Sequence, residues 1–259
     1  MDTPVSKGDK FSLKQCPKNE LEIREMQRIP YASAVGSLMY AQVCTRPDIA
    51  FIVGMLGRYL SNLGMEQWKA VKRVLRYLKK TKDNMLTYRK SDHLEIIGYS
   101  DSDFKGCKDE RKSTSGYVYL LAGGAISWRS AKKTLIASST MAAEYIACFV
   151  ASNQALWLRN FVTSLRILDG VERPLKIFCD NKSAVEYSNN NRSTTDAKHI
   201  DIKFLVVKEK IQSGQILIEY IGTNSMIADP LTKALTPKNT VDGILLNVTL
   251  LLFNFLIVV

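Results

Sequence analysis

The chain has 259 residues, 46% of them hydrophobic, which is room for one large or two small domains with a real core and excludes global disorder. Lysine and arginine number 36 against 25 aspartates and glutamates, a net charge of +11 that suits a polyanionic partner, most simply nucleic acid, and otherwise serves solubility. Five scattered cysteines (Cys16, Cys44, Cys107, Cys148, Cys179), no C-x-x-C and only two histidines, His93 and His199, argue against a structural zinc site. With a start, Met1-Asp2-Thr3-Pro4, unlike a signal peptide, they predict a reducing compartment, cytosol or nucleus, and no secretion.

Residues 1–30 are polar and rich in breakers and read as an irregular linker. Residues 31–40 and 49–60 are apolar enough for two short helices around Thr45-Arg46-Pro47-Asp48, where Pro47 fits a first helical turn. The clearest helix spans 67–81. Trp68, Val71, Leu75 and Leu78 recur at steps of three and four, and Lys69, Lys72, Arg73, Arg76 and Lys80 line another face. Such a cationic ridge suits a phosphate backbone, because each neutralised phosphate releases counterions, but it is also what an ordinary solvated helix face looks like.

From residue 94 the pattern becomes mixed. Residues 94–101 read as a buried strand ending on Asp101. Residues 116–121 alternate as a second strand with a Tyr117/Tyr119 face, Gly123-Gly124 signals a hairpin, and 125–128 begin the return strand. Ser138-Ser139-Thr140 supplies cap chemistry for a long helix with Ala143, Ala147, Val150, Leu158, Phe161 and Leu165 inward and a break near Ser152-Asn153. A strand over 174–179 ending on Asp180, a helix near Ser183, a polar loop over 189–197, a helix over 199–211, a strand over 215–221 and a last helix over 228–234 follow. The order predicts an α/β domain with a mixed sheet.

Asp101, Glu144, Asp180 and Asp229 sit at strand ends or helix starts, where open α/β sheets gather ligand groups. Each has a plain alternative. Asp101 and Asp180 fit turns, Glu144 fits the N-terminal half of a helix, and Asp229 before Pro230 fits an N-cap. Four acids in one cleft would repel, and divalent cations relieve that repulsion. Magnesium, a hard ion with oxygen ligands, fits such a set, and a pair of ions about 3.5–4 Å apart suits phosphodiester hydrolysis.

The motifs Gly36-Ser37-Leu38-Met39-Tyr40, Thr45-Arg46-Pro47-Asp48-Ile49, Tyr99-Ser100-Asp101-Ser102-Asp103, Lys112-Ser113-Thr114-Ser115-Gly116-Tyr117-Val118, Ile126-Ser127-Trp128, Ala143-Glu144-Tyr145, Ala155-Leu156-Trp157-Leu158, Cys179-Asp180-Asn181, Lys198-His199-Ile200 and Ala228-Asp229-Pro230-Leu231-Thr232-Lys233 stand in one order over residues 3–238. With them the chain resembles the C-terminal part of the Pol polyprotein of copia-type LTR retrotransposons, where reverse transcriptase gives way to ribonuclease H. The resemblance implies a ribonuclease H-like five-stranded mixed sheet with flanking helices over 91–238, preceded by a helical reverse-transcriptase connection over 31–90. It implies a metal site at Asp101, Glu144, Asp180 and Asp229 holding two Mg²⁺ ions, with Mn²⁺ as a substitute. It implies cleavage of the RNA strand of an RNA–DNA hybrid, with the rest of a Pol polyprotein as a further partner and no small-molecule cofactor.

The departures matter as well. The polymerase motif Tyr-x-Asp-Asp is missing, so no polymerisation is expected. Ala142 replaces a frequent first acid, Lys105 and Lys182 bring extra cations near the acids, and Leu205 stands where many members have histidine. Asp103 is expected beside the ligands rather than among them, and His199 at a helix start as a cap. Residues 239–259 leave the family pattern. In 244–259 thirteen of sixteen residues are apolar and none is charged, slightly short of the about 17–25 a membrane span needs, so a membrane role is not expected. Two readings of function remain: a catalytic ribonuclease H unit, and an inactive nucleic-acid-binding remnant. An integrase-type nuclease would order its acids Asp, Asp, Glu, unlike this chain.

Overall fold

The structure, a computed structural model, describes residues 3–5, 9, 11–86, 88, 95–104, 106, 112–134, 136–165, 174–189 and 201–234. Lys105, the loop at 190–197, Lys198-His199-Ile200 and the apolar tail lie outside the described residues.

Five strands, β1 (Ile96–Asp103), β2 (Thr114–Leu121), β3 (Gly124–Lys132), β4 (Leu175–Cys179) and β5 (Ile216–Tyr220), form one sheet in the order β3-β2-β1-β4-β5. β1–β2 and β2–β3 are antiparallel, whereas β4 and β5 run parallel to β1. This is the mixed sheet that the sequence predicts. The β2–β3 hairpin closes on Ala122 and Gly123, both at positive φ (50° and 81°), the backbone that two-residue hairpins need and that glycine adopts without strain.

Helices α1 (Glu20–Gln27), α2 (Tyr31–Cys44), α3 (Ala50–Leu56) and α4 (Met65–Lys80) precede the sheet; α5 (Thr140–Ser164), α6 (Lys182–Asn189) and α7 (Asp201–Gln212) pack with it. The N-terminal stretch is therefore not irregular throughout: Asn19 caps α1, its side chain accepting from the Glu22 N–H at 2.8 Å.

Helix α4 is rotated from the expected face. Gln67, Ala70, Val71, Val74 and Tyr77 point inward, while Leu75 is exposed. The Tyr77 hydroxyl donates to Asp48 at 2.7 Å, and that buried bond fixes which stripe turns in. Helix α5 begins where predicted, with Ser139 accepting from the Ala142 N–H at 3.1 Å, but it runs unbroken through Ser152 and Asn153. The Ser152 hydroxyl donates back to the Phe149 carbonyl at 2.8 Å, a bond that a helix accommodates, so serine does not end it. At its far end Phe161 and Leu165 are exposed rather than inward.

The main core lies between α5 and the sheet, built from Ile96, Tyr117, Tyr119, Tyr145, Ala151, Leu158, Ile177 and Ile218. The buried phenol of Tyr119 donates to the Ala151 carbonyl at 2.7 Å. A second core among α2, α3 and α4 gathers Val35, Leu38, Ile52, Leu56, Val71 and Val74. Ala50 joins Val118, Leu120, Ala125 and Leu231 in a third cluster that couples the helices to the sheet, and the Trp128 indole donates to the Gln42 carbonyl at 2.8 Å.

Candidate metal centre

Asp101 lies within β1, which runs two residues further than expected, and Asp180 follows β4 directly; the strands are parallel neighbours, with Ser100 of β1 paired with Cys179 of β4. β1 has an antiparallel neighbour on its other side, so the carboxyl ends of β1 and β4 lie where the sheet changes direction, the place where open α/β sheets bind ligands. Glu144 comes down from the first turns of α5, and the Ser102 N–H donates to its Oε1 at 3.2 Å.

Asp229 arrives on a short 3-10 turn, Asp229–Leu231, not on the predicted helix. Its alternative role as a cap is ruled out: Ala228 takes the N-cap position, and no side chain caps the turn. The turn lies directly on the sheet at Gly116, the β2 partner of Asp101. A Cβ at Gly116 would meet Leu231 Cβ at 2.6 Å and Thr232 Cγ2 at 2.9 Å, so the bare glycine is what lets Asp229 approach Asp101.

One carboxylate oxygen each of Asp101, Asp180 and Asp229 lie within 4.8 Å of one another, and Asp180 also lies within that distance of a Glu144 oxygen. All four predicted acids are therefore brought together, with Asp180 common to both groups. Asp101, Glu144 and Asp229 are buried. Thr232 Oγ1 donates to Asp101 Oδ2, and Lys233 Nζ lies 2.8 Å from Asp229 Oδ1.

The electrostatics are those of acids without enough counter-charge. Burial, and then Asp101, push the Glu144 carboxyl from 4.5 up to about 10. Burial raises Asp229 from 3.8 to about 6 against the opposing pull of Lys233. Burial also raises Asp101, opposed by Lys233 and Thr232, and raises Asp103, with the Asp101 charge next. Glu144 Oε2 is buried with no hydrogen-bond partner. A set of hard carboxylate oxygens, one orphaned and several held above their ordinary range, fits a divalent cation such as magnesium.

Three neighbours were not foreseen in these roles. Thr232 and Lys233 were visible in the Asp229 motif, and the i,i+4 spacing of Asp229 and Lys233 was the available signal. Lys133 carried none. It is buried just past β3, and its Nζ donates to Ser102 Oγ at 3.1 Å and to the Ala143 carbonyl, which ties β1 to α5 behind two of the acids. Burial lowers Lys133 to about 8, with Glu144 opposing. Lys182 Nζ lies 5.0 Å from the centre of the ring of Tyr220, the β5 partner of Cys179. Leu205 is exposed on α7.

On α4 the five predicted cations are not equally available. Arg73 pairs with Asp9, Lys69 pairs with Glu66 at 2.7 Å, and Lys72 lies over Trp68 at 5.9 Å.

Sheet order, strand directions and the covering helix α5 define a ribonuclease H-like α/β fold with an acidic cleft at its strand ends. No protein-family model matches the chain. It is 41% identical over 239 residues to the retrovirus-related Pol polyprotein from transposon TNT 1-94 of Nicotiana tabacum, covering 92% of this chain and 18% of the relative. It is 35% identical over 206 residues to the Pol polyprotein from transposon RE1 of Arabidopsis thaliana, covering 80% and 14%. Among solved structures, LC11-RNase H1 isolated from compost shares 18% identity at a TM-score of 0.42, over 54% of this chain and 94% of that one. The chain belongs to the copia-type retrotransposon Pol polyproteins and spans less than a fifth of the length of these two relatives.

Proposed function

We propose that this chain is the ribonuclease H part of a retrotransposon Pol polyprotein and hydrolyses the RNA strand of RNA–DNA hybrids with divalent metal. Residues 91–238 form the nuclease unit in this reading, and residues 31–90 the connection that precedes it. The observation that carries it is the meeting of Asp101, Glu144, Asp180 and Asp229, from four separate segments, together with a buried Glu144 oxygen that has no partner.

Asp101, Glu144, Asp180 and Asp229 would hold the ions. When bound, a magnesium pair supplies Lewis acidity to the scissile phosphate and offsets the mutual repulsion of the acids. The chain's own part is positioning. Thr232 fixes one Asp101 oxygen, and the Ser102 N–H fixes one Glu144 oxygen and leaves the other buried without a partner. Lys233, half-exposed beside Asp229, offers a positive charge to an incoming phosphate. Water attacks in line and the cut strand keeps a 3′-hydroxyl. The RNA strand is distinguished by its 2′-hydroxyls.

The test is cleavage of a hybrid labelled on the RNA strand by the full chain, with Mg²⁺ and with chelator. Metal-dependent cutting that disappears in Asp101→Asn supports the reading. A wild-type protein that binds the hybrid and leaves it intact at every Mg²⁺ and Mn²⁺ concentration favours the inactive remnant.

A further inference from the structure

Two thiols stand directly behind the acids. Cys179 ends β4 immediately before Asp180, and Cys148 follows Glu144 by one turn of α5, so the elements that carry two of the acids carry a sulfur each. Both cysteines are free and buried, at 1% exposure for Cys148 and 0% for Cys179, and they belong to the same core cluster. The Cys179 sulfur, one Glu144 oxygen and one Asp180 oxygen lie within 4.8 Å of one another. Independently, Glu144 is only 6% exposed and its Oε2 has no partner. Sequence spacing gave no sign of this, because Cys179 meets Glu144 only through the packing of α5 on β4.

Magnesium takes oxygen ligands, whereas zinc and cadmium accept thiolate and carboxylate together, most often as four ligands. We propose that Cys179, Glu144 and Asp180 form a thiophilic cation site, of the zinc class, that overlaps the magnesium site in Glu144 and Asp180. Each thiol that ligates releases its proton to solvent. Because two acids are shared, occupancy by zinc and occupancy by magnesium exclude each other, and zinc switches the cleft off. The proposed nuclease activity is needed only for that last consequence, not for binding.

The full, reduced chain is titrated with Cd²⁺ without nucleic acid, following the ultraviolet thiolate-to-cadmium charge-transfer band. The band is expected to saturate near one ion per chain and to persist in Asp101→Asn and Cys44→Ser. It should vanish in Cys179→Ser, and Glu144→Gln should weaken binding about tenfold or more. A band that survives the joint Cys148→Ser and Cys179→Ser substitution overturns the site. If Cys179→Ser does not fold, X-ray absorption of the wild-type cadmium complex decides: a shell that contains sulfur supports the site, and an oxygen-only shell ends it. Stoichiometric Zn²⁺ should also suppress hybrid cleavage, with excess Mg²⁺ restoring it. A wild type that never cleaves yet shows the band keeps this site and removes the nuclease reading, so the two failures are distinct.

Discussion

The molecule buries charge in two places and treats it in opposite ways. Between α2 and α4, Arg46 and Asp48 form a closed set: Arg46 Nε and Nη2 donate to the two Asp48 oxygens at 2.9 and 2.7 Å, Tyr77 donates to Asp48 at 2.7 Å, and Arg46 also reaches Thr81 Oγ1 at 2.7 Å. At the strand ends, four acids face two lysines, Lys233 beside Asp229 and the buried Lys133 near Glu144, Glu144 keeps an orphaned oxygen, and burial raises Glu144, Asp229 and Asp101 above the ordinary carboxylate range. A buried ion pair whose hydrogen bonds are all made has no room for a ligand and serves the fold. A buried acid cluster left electrostatically short is stable in full only with something positive added. The contrast separates a structural polar cluster from a site even though both are charged and both lie in sequence motifs.

Single substitutions break the two clusters differently. Asp101→Asn keeps size and fold but removes one ligand charge. Several kcal/mol of charge stabilisation, at tenfold per about 1.4 kcal/mol, gives roughly a thousandfold loss of hybrid cleavage, measured in single turnover, with the melting temperature little changed. Asp48→Ala should do the reverse. It leaves Arg46 buried without its partner, costs about 3–5 kcal/mol in denaturant unfolding, and leaves cleavage per folded molecule unaltered. Loss of cleavage per folded molecule in Asp48→Ala would erase the distinction.

Proton linkage sharpens the contrast. A carboxyl whose folded value is raised favours folding at low pH, and that contribution is lost as pH rises through the folded value. Asp229 goes from 3.8 to about 6, so without metal wild type should lose stability relative to Asp229→Asn between about pH 4 and about pH 6. At neutral pH, metal-free Asp229→Asn should melt a few degrees higher than wild type. Mg²⁺ should reverse the order, because the variant has lost a ligand. Melting curves at several pH values, with Mg²⁺ and with chelator, test the sign. The same order with and without Mg²⁺ would mean that Asp229 does not meet the ion.

Much of this arrangement could be read from the chain. Strand alternation with the Gly123-Gly124 signal revealed the hairpin, although it turns one residue earlier on Ala122-Gly123, Ser139 marked the start of α5, and the four acids stood out because each was expected at a strand end or helix start. What could not be read depended on partners distant in sequence. Tyr77 turns α4 because Asp48, 29 residues earlier, accepts its hydroxyl. Asp229 needs only a 3-10 turn because Gly116 lets that turn lie flat on the sheet, and periodicity says nothing of such an approach. Lys133 carries no signal in the sequence, and only the packing of α5 on β1 encloses it.

That lysine gives a smaller but cleaner test. Lys133→Met keeps the length and removes the charge. A buried ammonium costs desolvation, so the metal-free protein should lose little stability. Glu144 then loses the cation that favours its charged form, and the link from Ser102 to the Ala143 carbonyl goes too. Mg²⁺ affinity by calorimetry should weaken about tenfold, at the low end for a residue that orients a metal ligand, and Lys133→Arg should recover part of it. Equal destabilisation with and without Mg²⁺, at unchanged affinity, would make Lys133 a tether only.

The α4 ridge should give the smallest effect, and here the ion pairs set the size. Neutralising Lys72, Arg73 and Arg76 together would lower the slope of log affinity against log salt by about 2.7 if each met one phosphate of a duplex. Arg73, however, is already matched with Asp9, so its release on binding is offset by breaking that pair. The expected decrease is nearer to about 2, with cleavage at saturating hybrid unaffected. An unchanged slope in hybrid-binding titrations would make the ridge a solvated helix face. A fall in cleavage at saturation would instead tie it to the acid cleft, which the comparison of the two buried clusters does not allow.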